Sequence, residues 1–199
     1  MGTYPWYPRP YPRVYSLKHH LPTQVRCHLT WWQDLLLIPN VSRSLELLPH
    51  LDPDVWVNAL SSYGLGLVVG NAWAAWQLLP GWNTNGRDIG WAEGIVLEMA
   101  VYWLALSKFH NADVIVCSDN TGVVGAFWKG WSRNAARNDC ISRISVALSS
   151  SNLSLSPIFV CLNQNRADPV SRGCLGTNPS RILITIDTPP LLDSLIQRV

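Results

Sequence analysis

The chain has 199 residues, of which 48% are hydrophobic and 14% are charged, and its formal net charge is +2. This length and apolar content exclude an intrinsically disordered chain and are typical of one domain, or of one domain with an extension. The small net charge does not by itself indicate nucleic-acid binding, whereas 11 Trp in a chain so poor in charge indicate that a neighbour covers part of the surface.

The first 49 residues are expected to lie outside the main fold. Residues 1–22 begin with Pro alternating with Tyr, Trp and Arg, which predicts a flexible extended tail, with a proline-rich docking peptide as the alternative. Residues 23–37 carry apolar side chains at helical spacing, and Pro39 then ends the helix. We therefore interpret 23–49 as a helix followed by a linker.

The N-terminal residues and the cysteines give an expectation of the cellular compartment. The first residues contain no apolar run, so no secretory signal is expected. The five cysteines are odd in number and none forms a CxxC pair, which favours reduced thiols over a disulfide framework or a zinc site. We expect an intracellular protein, and the sequence does not distinguish cytoplasm from nucleus.

Three strands are predicted at 54–60, 63–70 and 72–79, with a tight turn at Gly70-Asn71 between the last two. The uncharged stretch 55–86 is also long enough for a membrane-spanning helix. Several polar residues and glycines interrupt it, and their insertion cost disfavours that alternative. We therefore expect no membrane span.

Helices and strands alternate in the second half of the chain. The pattern predicts helices at 91–109, 120–130 and 134–150, strands at 112–119 and 153–160, and a short helix or turn within 163–173. This order predicts an α/β fold with a five-stranded mixed sheet, its first three strands antiparallel, flanked by helices. The remaining residues, 174–199, are interpreted as a C-terminal tail.

Four polar positions are expected to converge at the carboxyl end of this sheet, where α/β proteins place their sites. They are Asn58 on the first strand, Glu98 on the long helix, Asp119 after the fourth strand and Asp168 at the last short helix. Taken singly, Glu98 pairing with an Arg and the two aspartates capping helices are good explanations. Taken together, these oxygen ligands suit Mg²⁺ or Mn²⁺ and two-metal phosphodiester hydrolysis.

Four segments also carry a family resemblance. In chain order they are "VWVNALSSYGLG", "EMAVYWLAL", "CSDNTGVVGAF" and "NQNRADPVSRG". Residues 50–173 thereby resemble a type 1 ribonuclease H domain, most similar to those of fungal retroelements of the gypsy-like or DIRS-like kind. The upstream "TWWQDLL" resembles the connection that joins reverse transcriptase to ribonuclease H. The resemblance implies a ribonuclease H-like sheet, RNA–DNA hybrid as substrate and a reverse transcriptase domain as partner.

The family holds two metal ions with an Asp-Glu-Asp-Asp set, which by position falls on Asn58, Glu98, Asp119 and Asp168. The resemblance therefore assigns Mg²⁺ or Mn²⁺ to Glu98, Asp119 and Asp168. Asn58 replaces the bridging aspartate, so the metal site is weakened and cleavage is expected to be weak or lost. Asp54 lies roughly 13 Å along the strand from Asn58. Glu93 lies about 140° around the helix from Glu98, so neither is expected to substitute.

A second hypothesis is a non-catalytic module that binds hybrid or single-stranded nucleic acid, or acts as a scaffold. Basic side chains that could contact phosphates are interleaved with two tryptophans that could stack on bases; these residues are Lys129, Arg133, Arg137, Arg172, Trp128 and Trp131. A solvated corner between two helices explains the same segment equally well. A decayed retroelement fragment without a selected function is the third hypothesis.

Overall fold

A mixed β-sheet is the centre of the larger of two units of this protein. The computed structural model describes residues 21–37, 47–175 and 180–199. The chain divides into the units Met1–Asn40 and Val41–Val199. The first contains helix α1 (Thr23–Leu37), whose apolar side chains Val25, Leu29, Trp32 and Leu36 are exposed. Residues 1–20 of the predicted tail 1–22, and residues 38–46 of the predicted segment 23–49, lie outside the described residues.

The sheet is built around strand β1 (His50–Ala59). Strands β2 (Gly64–Val69) and β3 (Ala72–Leu78) continue from it as an antiparallel meander. Strands β4 (Ala112–Ser118) and β5 (Leu153–Phe159) lie on its other side, β4 parallel to β1 and β5 parallel to β4. The prediction of a mixed sheet whose first three strands are antiparallel is confirmed. The carboxyl ends of β1, β4 and β5 therefore meet at one edge of the sheet.

The strand count differs from the predicted five. Within the described residues the sheet has seven strands, because β6 (Ser180–Arg181) and β7 (Ile196–Arg198) pair with β3. The segment interpreted as a tail thus packs on the fold, and it buries Ile182, Ile186, Leu192 and Ile196. Strands of two or three residues leave no periodic pattern to detect, and they exist here because the edge of β3 offers backbone partners.

Helix α2 (Ile89–Leu106) is apolar on nearly every side because it is covered on nearly every side. It packs against the sheet on one side and helix α4 (Ala135–Ser150) on the other. Its N-cap is Asp88, whose carboxylate accepts a hydrogen bond from the Trp91 N–H. By length and composition α2 would suffice to cross a membrane, but 72% of it is buried inside this fold. The stretch 55–86, considered above as a span, holds β1 to β3 instead.

Two further helices follow β4 and return the chain to the start of β5, which runs parallel to β4 and ends at the carboxyl edge. Helix α3 (Thr121–Lys129) is capped by Asn120, and α4 by Asn134, in each case through a side-chain oxygen that accepts a backbone N–H. After β5, a 3₁₀ turn (Leu162–Gln164) leads into the short helix α5 (Asp168–Ser171). This path places α5 beside β1 and β2.

Candidate active site

Asn58 and Asp119 occupy adjacent positions at the carboxyl edge of the sheet. Val57 on β1 pairs with Ser118, the last residue of β4, so the residues that follow are Asn58 on β1 and Asp119 directly after β4. The Asn58 side chain is buried, and its Nδ2 donates hydrogen bonds to Asp168 Oδ1 at 3.1 Å and to Ser171 Oγ at 3.0 Å. The structure therefore brings together three of the four predicted positions, Asn58, Asp119 and Asp168.

A glycine on β2 allows α5 to approach this closely. Gly66 is the antiparallel partner of Asn58. A Cβ atom built on Gly66 would lie 2.6 Å from the Ser171 nitrogen and 2.7 Å from the Ala167 carbonyl oxygen. Any side chain at this position would therefore push α5, and with it Asp168, away from Asn58.

Asn165 is a site residue that the sequence analysis missed. Its buried Nδ2 donates to the Val57 carbonyl at 3.0 Å, and its Oδ1 accepts from the Ala167 N–H at 3.0 Å. Asn165 also donates to the Asp119 carboxylate. This one amide thus holds the loop before α5 on β1 and links it to β4. A buried amide with several partners is a structural signal that appears only once the loop is placed.

Asp119 lies among charges of both signs. Burial raises the pKa of its carboxyl above the ordinary value, and the negative charge of Asp168 raises it further. The hydrogen bond from Asn165 and the positive charge of Arg172 act in the opposite direction. Asp119 does not cap α3, since Asn120 does.

Glu93, not Glu98, is the glutamate of α2 that lies beside these residues. Its Oε1 accepts a hydrogen bond from the Ala59 N–H at 3.1 Å, and its Oε2 is buried without a hydrogen-bond partner within the described residues. Burial raises the pKa of Glu93 to about 8, and the negative charge of Asp119 adds to that rise. A buried, unpaired carboxyl next to a second acid is typical of functional sites.

The placement of Glu98 corrects the sequence analysis. Glu98 is fully buried between α2 and α4, where Arg143 donates to Oε1 at 2.6 Å and to Oε2 at 2.8 Å. The Tyr102 hydroxyl also donates to Oε1, at 2.6 Å. The two glutamates are about 140° apart on an ideal helix, and Glu93, not Glu98, is the one that faces the sheet edge. The alternative in which Glu98 pairs with an Arg holds.

The residues at this edge do not fit a two-metal centre as they stand. Within the described parts of the chain, no group of three His, Cys, Asp or Glu side chains is placed to hold a metal ion. Asn58 directs an N–H donor at Asp168, where a bridging ligand would need an oxygen lone pair. Arg172 Nε lies 3.0 and 2.9 Å from the two Asp168 carboxylate oxygens. A neutral amide N–H and the Arg172 guanidinium therefore already donate to the carboxylate oxygens of Asp168.

The predicted basic residues divide into two pairs. Arg137 is bound to Asp88, with 2.7 Å between Nη2 and Oδ2, and Arg172 is bound to Asp168. Lys129 and Arg133 are exposed, and neither forms a salt bridge within the described residues. Only this second pair is available for phosphate contacts without breaking an ion pair.

The two predicted tryptophans are exposed beside these basic residues. Trp128 is 61% exposed and Trp131 55% exposed. The Trp128 indole N–H donates to the Pro157 carbonyl at 3.1 Å, which fixes the ring while leaving its surface open. The exposed side chains Ile158 and Phe159 directly follow Pro157 on the same strand. This end of the sheet therefore carries an apolar and basic surface.

Comparison with known proteins gives no family: no protein-family model matches the chain, and no curated protein matches it.

Proposed function

We propose that this chain is a ribonuclease H-like, retroelement-derived domain that binds RNA–DNA hybrid and that, as its sequence stands, cleaves it weakly or not at all. The observation that carries the proposal is the hydrogen bond from the Asn58 amide to Asp168. It joins two positions that the resemblance assigns to one catalytic set, and its donor is an amide N–H at the position where that set would need an oxygen ligand.

The arrangement of the strands supports the ribonuclease H-like part of the proposal. The antiparallel meander of β1 to β3, followed by two parallel strands with helices between them, agrees with the fold that the resemblance implies. Glu93 replaces Glu98 as the glutamate of the proposed set, because its Oε1 accepts a hydrogen bond from the N–H of Ala59, the residue after Asn58 on β1. The set at this edge is thus Asn58, Glu93, Asp119 and Asp168.

The side chains at the carboxyl edge of the sheet support binding of the hybrid over its cleavage. Hydrolysis in this family depends on metal ions that activate water and stabilise the leaving oxygen. This chain supplies an amide at position 58, a carboxyl at Glu93 with its pKa raised to about 8, and a salt-bridged Asp168. These three side chains are poorly suited to hold a divalent ion, whereas Lys129 and Arg133 are exposed and form no salt bridge within the described residues.

A second candidate is binding of single-stranded nucleic acid. The observation that favours it is the exposed Trp128 ring, which the hydrogen bond to Pro157 holds in one orientation. An unpaired base can stack on such a ring, whereas a paired base inside a duplex cannot. Trp128→Leu therefore separates the candidates, because it should weaken single-strand binding and leave hybrid binding nearly unchanged.

The test is fluorescence anisotropy of the full chain with a labelled RNA–DNA hybrid at several salt concentrations, in parallel with a cleavage assay in Mg²⁺ and in Mn²⁺. We expect binding that weakens steeply with salt and little or no cleavage. The double variant Lys129→Glu/Arg133→Glu should bind more weakly and reduce the salt slope by about 2.

The matched control is Lys108→Glu. Lys108 is exposed at the end of α2, next to the start of β4, about 20 Å from the carboxyl edge at the rise of a strand. This single reversal changes the net charge by the same amount as Lys129→Glu alone, which is its matched variant, and it does not touch the proposed surface. Hybrid binding that does not depend on salt, or an equal loss of affinity in the control, would contradict the proposal. Robust cleavage would show that the interpretation of Asn58 is wrong.

A further inference from the structure

Asp168 is the most completely neutralised carboxylate of the candidate site. Its Oδ1 accepts hydrogen bonds from Asn58 Nδ2 at 3.1 Å and from Arg172 Nε at 3.0 Å, and its Oδ2 accepts from Arg172 Nε at 2.9 Å. The Ser171 hydroxyl donates to the Asp168 main-chain carbonyl at 2.9 Å, which steadies the same turn. Both carboxylate oxygens therefore already have donors from the chain.

The Arg172 charge also acts beyond Asp168. It counters the rise in the pKa of Asp119, which directly follows strand β4. The Arg172 side chain is 45% exposed and the Asp168 side chain 20% exposed, so this ion pair is accessible to solvent. One positive side chain thus serves two acids on different elements.

We infer that the Arg172 guanidinium is the resident cation of this site and competes with divalent metal ions for Asp168. The inference rests on the proposed function, since it concerns the same edge of the sheet. It predicts that replacing Asn58 by an aspartate is not sufficient to restore a metal site. A divalent ion at Asp168 must displace the guanidinium or bind close to its positive charge.

The size of the effect follows from Coulomb's law. A single positive charge about 5 Å from a divalent ion weakens ion binding by about tenfold even at the dielectric constant of water. A lysine at position 172 retains the charge, whereas a glutamine of similar length removes it. Comparing the two substitutions therefore separates the effect of the charge at position 172 from the effect of the side-chain shape.

The experiment is a titration of the full chain with Mn²⁺ in the absence of nucleic acid. The electron paramagnetic resonance signal of the free ion measures how much Mn²⁺ remains unbound. The variants are Asn58→Asp, Asn58→Asp/Arg172→Gln and Asn58→Asp/Arg172→Lys. Asn58→Asp/Arg137→Gln is the control, because Arg137 forms a similar ion pair with Asp88 away from the site. Circular dichroism establishes that each variant is folded before it is titrated.

We expect the Asn58→Asp/Arg172→Gln variant to bind Mn²⁺ about tenfold more tightly than Asn58→Asp. The double variants with Arg172→Lys and Arg137→Gln should bind Mn²⁺ with the same affinity as Asn58→Asp. Equal affinity of Asn58→Asp and its folded Arg172→Gln derivative would overturn the inference, as would an equal gain in the Arg137→Gln control. Since no nucleic acid is present, the result is separate from the outcome of the hybrid-binding test.

Discussion

The Asn58 side chain donates a hydrogen bond to Asp168, a residue 110 positions further along the chain, and so ties helix α5 to strand β1. The same amide also donates to Ser171, so both hydrogens of the amide group are used. A neutral donor at position 58 therefore stabilises an arrangement of acids that would otherwise repel one another.

Replacing Asn58 by Asp should lower the stability of the protein in the absence of metal. The new carboxylate loses both hydrogen bonds and faces Asp168, and like charges in contact are unfavourable. We expect the free energy of unfolding to fall by about 1–3 kcal/mol in EDTA, measured by urea denaturation. Asn58→Ser, which removes the amide without adding charge, is the comparison; a variant as stable as the parent would contradict this role of Asn58.

Glu93 should make stability fall as pH rises. Its pKa is raised in the folded state from 4.5 to about 8, so the folded chain holds a proton that the unfolded chain releases. This contribution is fully present below about pH 4.5 and is lost as pH rises through about 8. Glu93→Gln should therefore be more stable than the parent at pH 9, by an amount on the order of a few kcal/mol, and should differ little at pH 5.

Urea denaturation of both proteins at pH 5, 7 and 9 checks this prediction. The parent should lose stability across the series relative to Glu93→Gln. A constant difference between the two proteins at all three pH values would show that Glu93 does not change its protonation on unfolding.

The Glu98–Arg143 pair should behave as a buried ion pair with no part in binding. Removing Arg143 alone leaves the fully buried Glu98 without its counter-charge, so Arg143→Leu should cost about 3–5 kcal/mol of stability. The double variant Glu98→Leu/Arg143→Leu should recover most of that loss, because no unpaired charge remains.

Chemical denaturation measures both variants, and hybrid anisotropy shows whether the folded double variant still binds. If the stability loss of the double variant equalled the sum of the losses from the two single changes, the two side chains would not interact. A folded double variant with lost hybrid binding would return Glu98 to the functional site.

Gly66→Ala should disrupt the site through backbone crowding. The added methyl group would overlap backbone atoms of Ala167 and Ser171, and relieving that overlap should cost about 1–3 kcal/mol of stability. Gly125, in the middle of α3, is the matched control because a Cβ there meets nothing within 4 Å. Gly125→Ala should stabilise by about 0.5–1 kcal/mol; equal effects at both positions in thermal unfolding would contradict the close approach of α5.

The main elements were predictable from local sequence patterns. The apolar segments around Gly70-Asn71 predicted an antiparallel meander, and the alternation after residue 90 predicted the remaining helices and strands of the mixed sheet. Local patterns succeed here because strands of six or more residues and helices of several turns repeat their apolar spacing often enough to be recognised. The two-residue β6 and the three-residue β7 are too short to repeat any apolar spacing.

The composition of the site depended on long-range packing. Glu93 and Glu98 both lie on an apolar helix, and helical spacing shows only that they point in different directions. Which of them lies beside Asp119 is decided by the orientation of α2 on the sheet, with Arg143 of α4 available on the other side. In the same way, Arg172 could be counted as basic from the sequence, but its pairing with Asp168 depends on the turn that α5 makes beside β1. Local spacing specifies the direction of a side chain relative to its own helix or strand, whereas its partner is set by how the elements pack together.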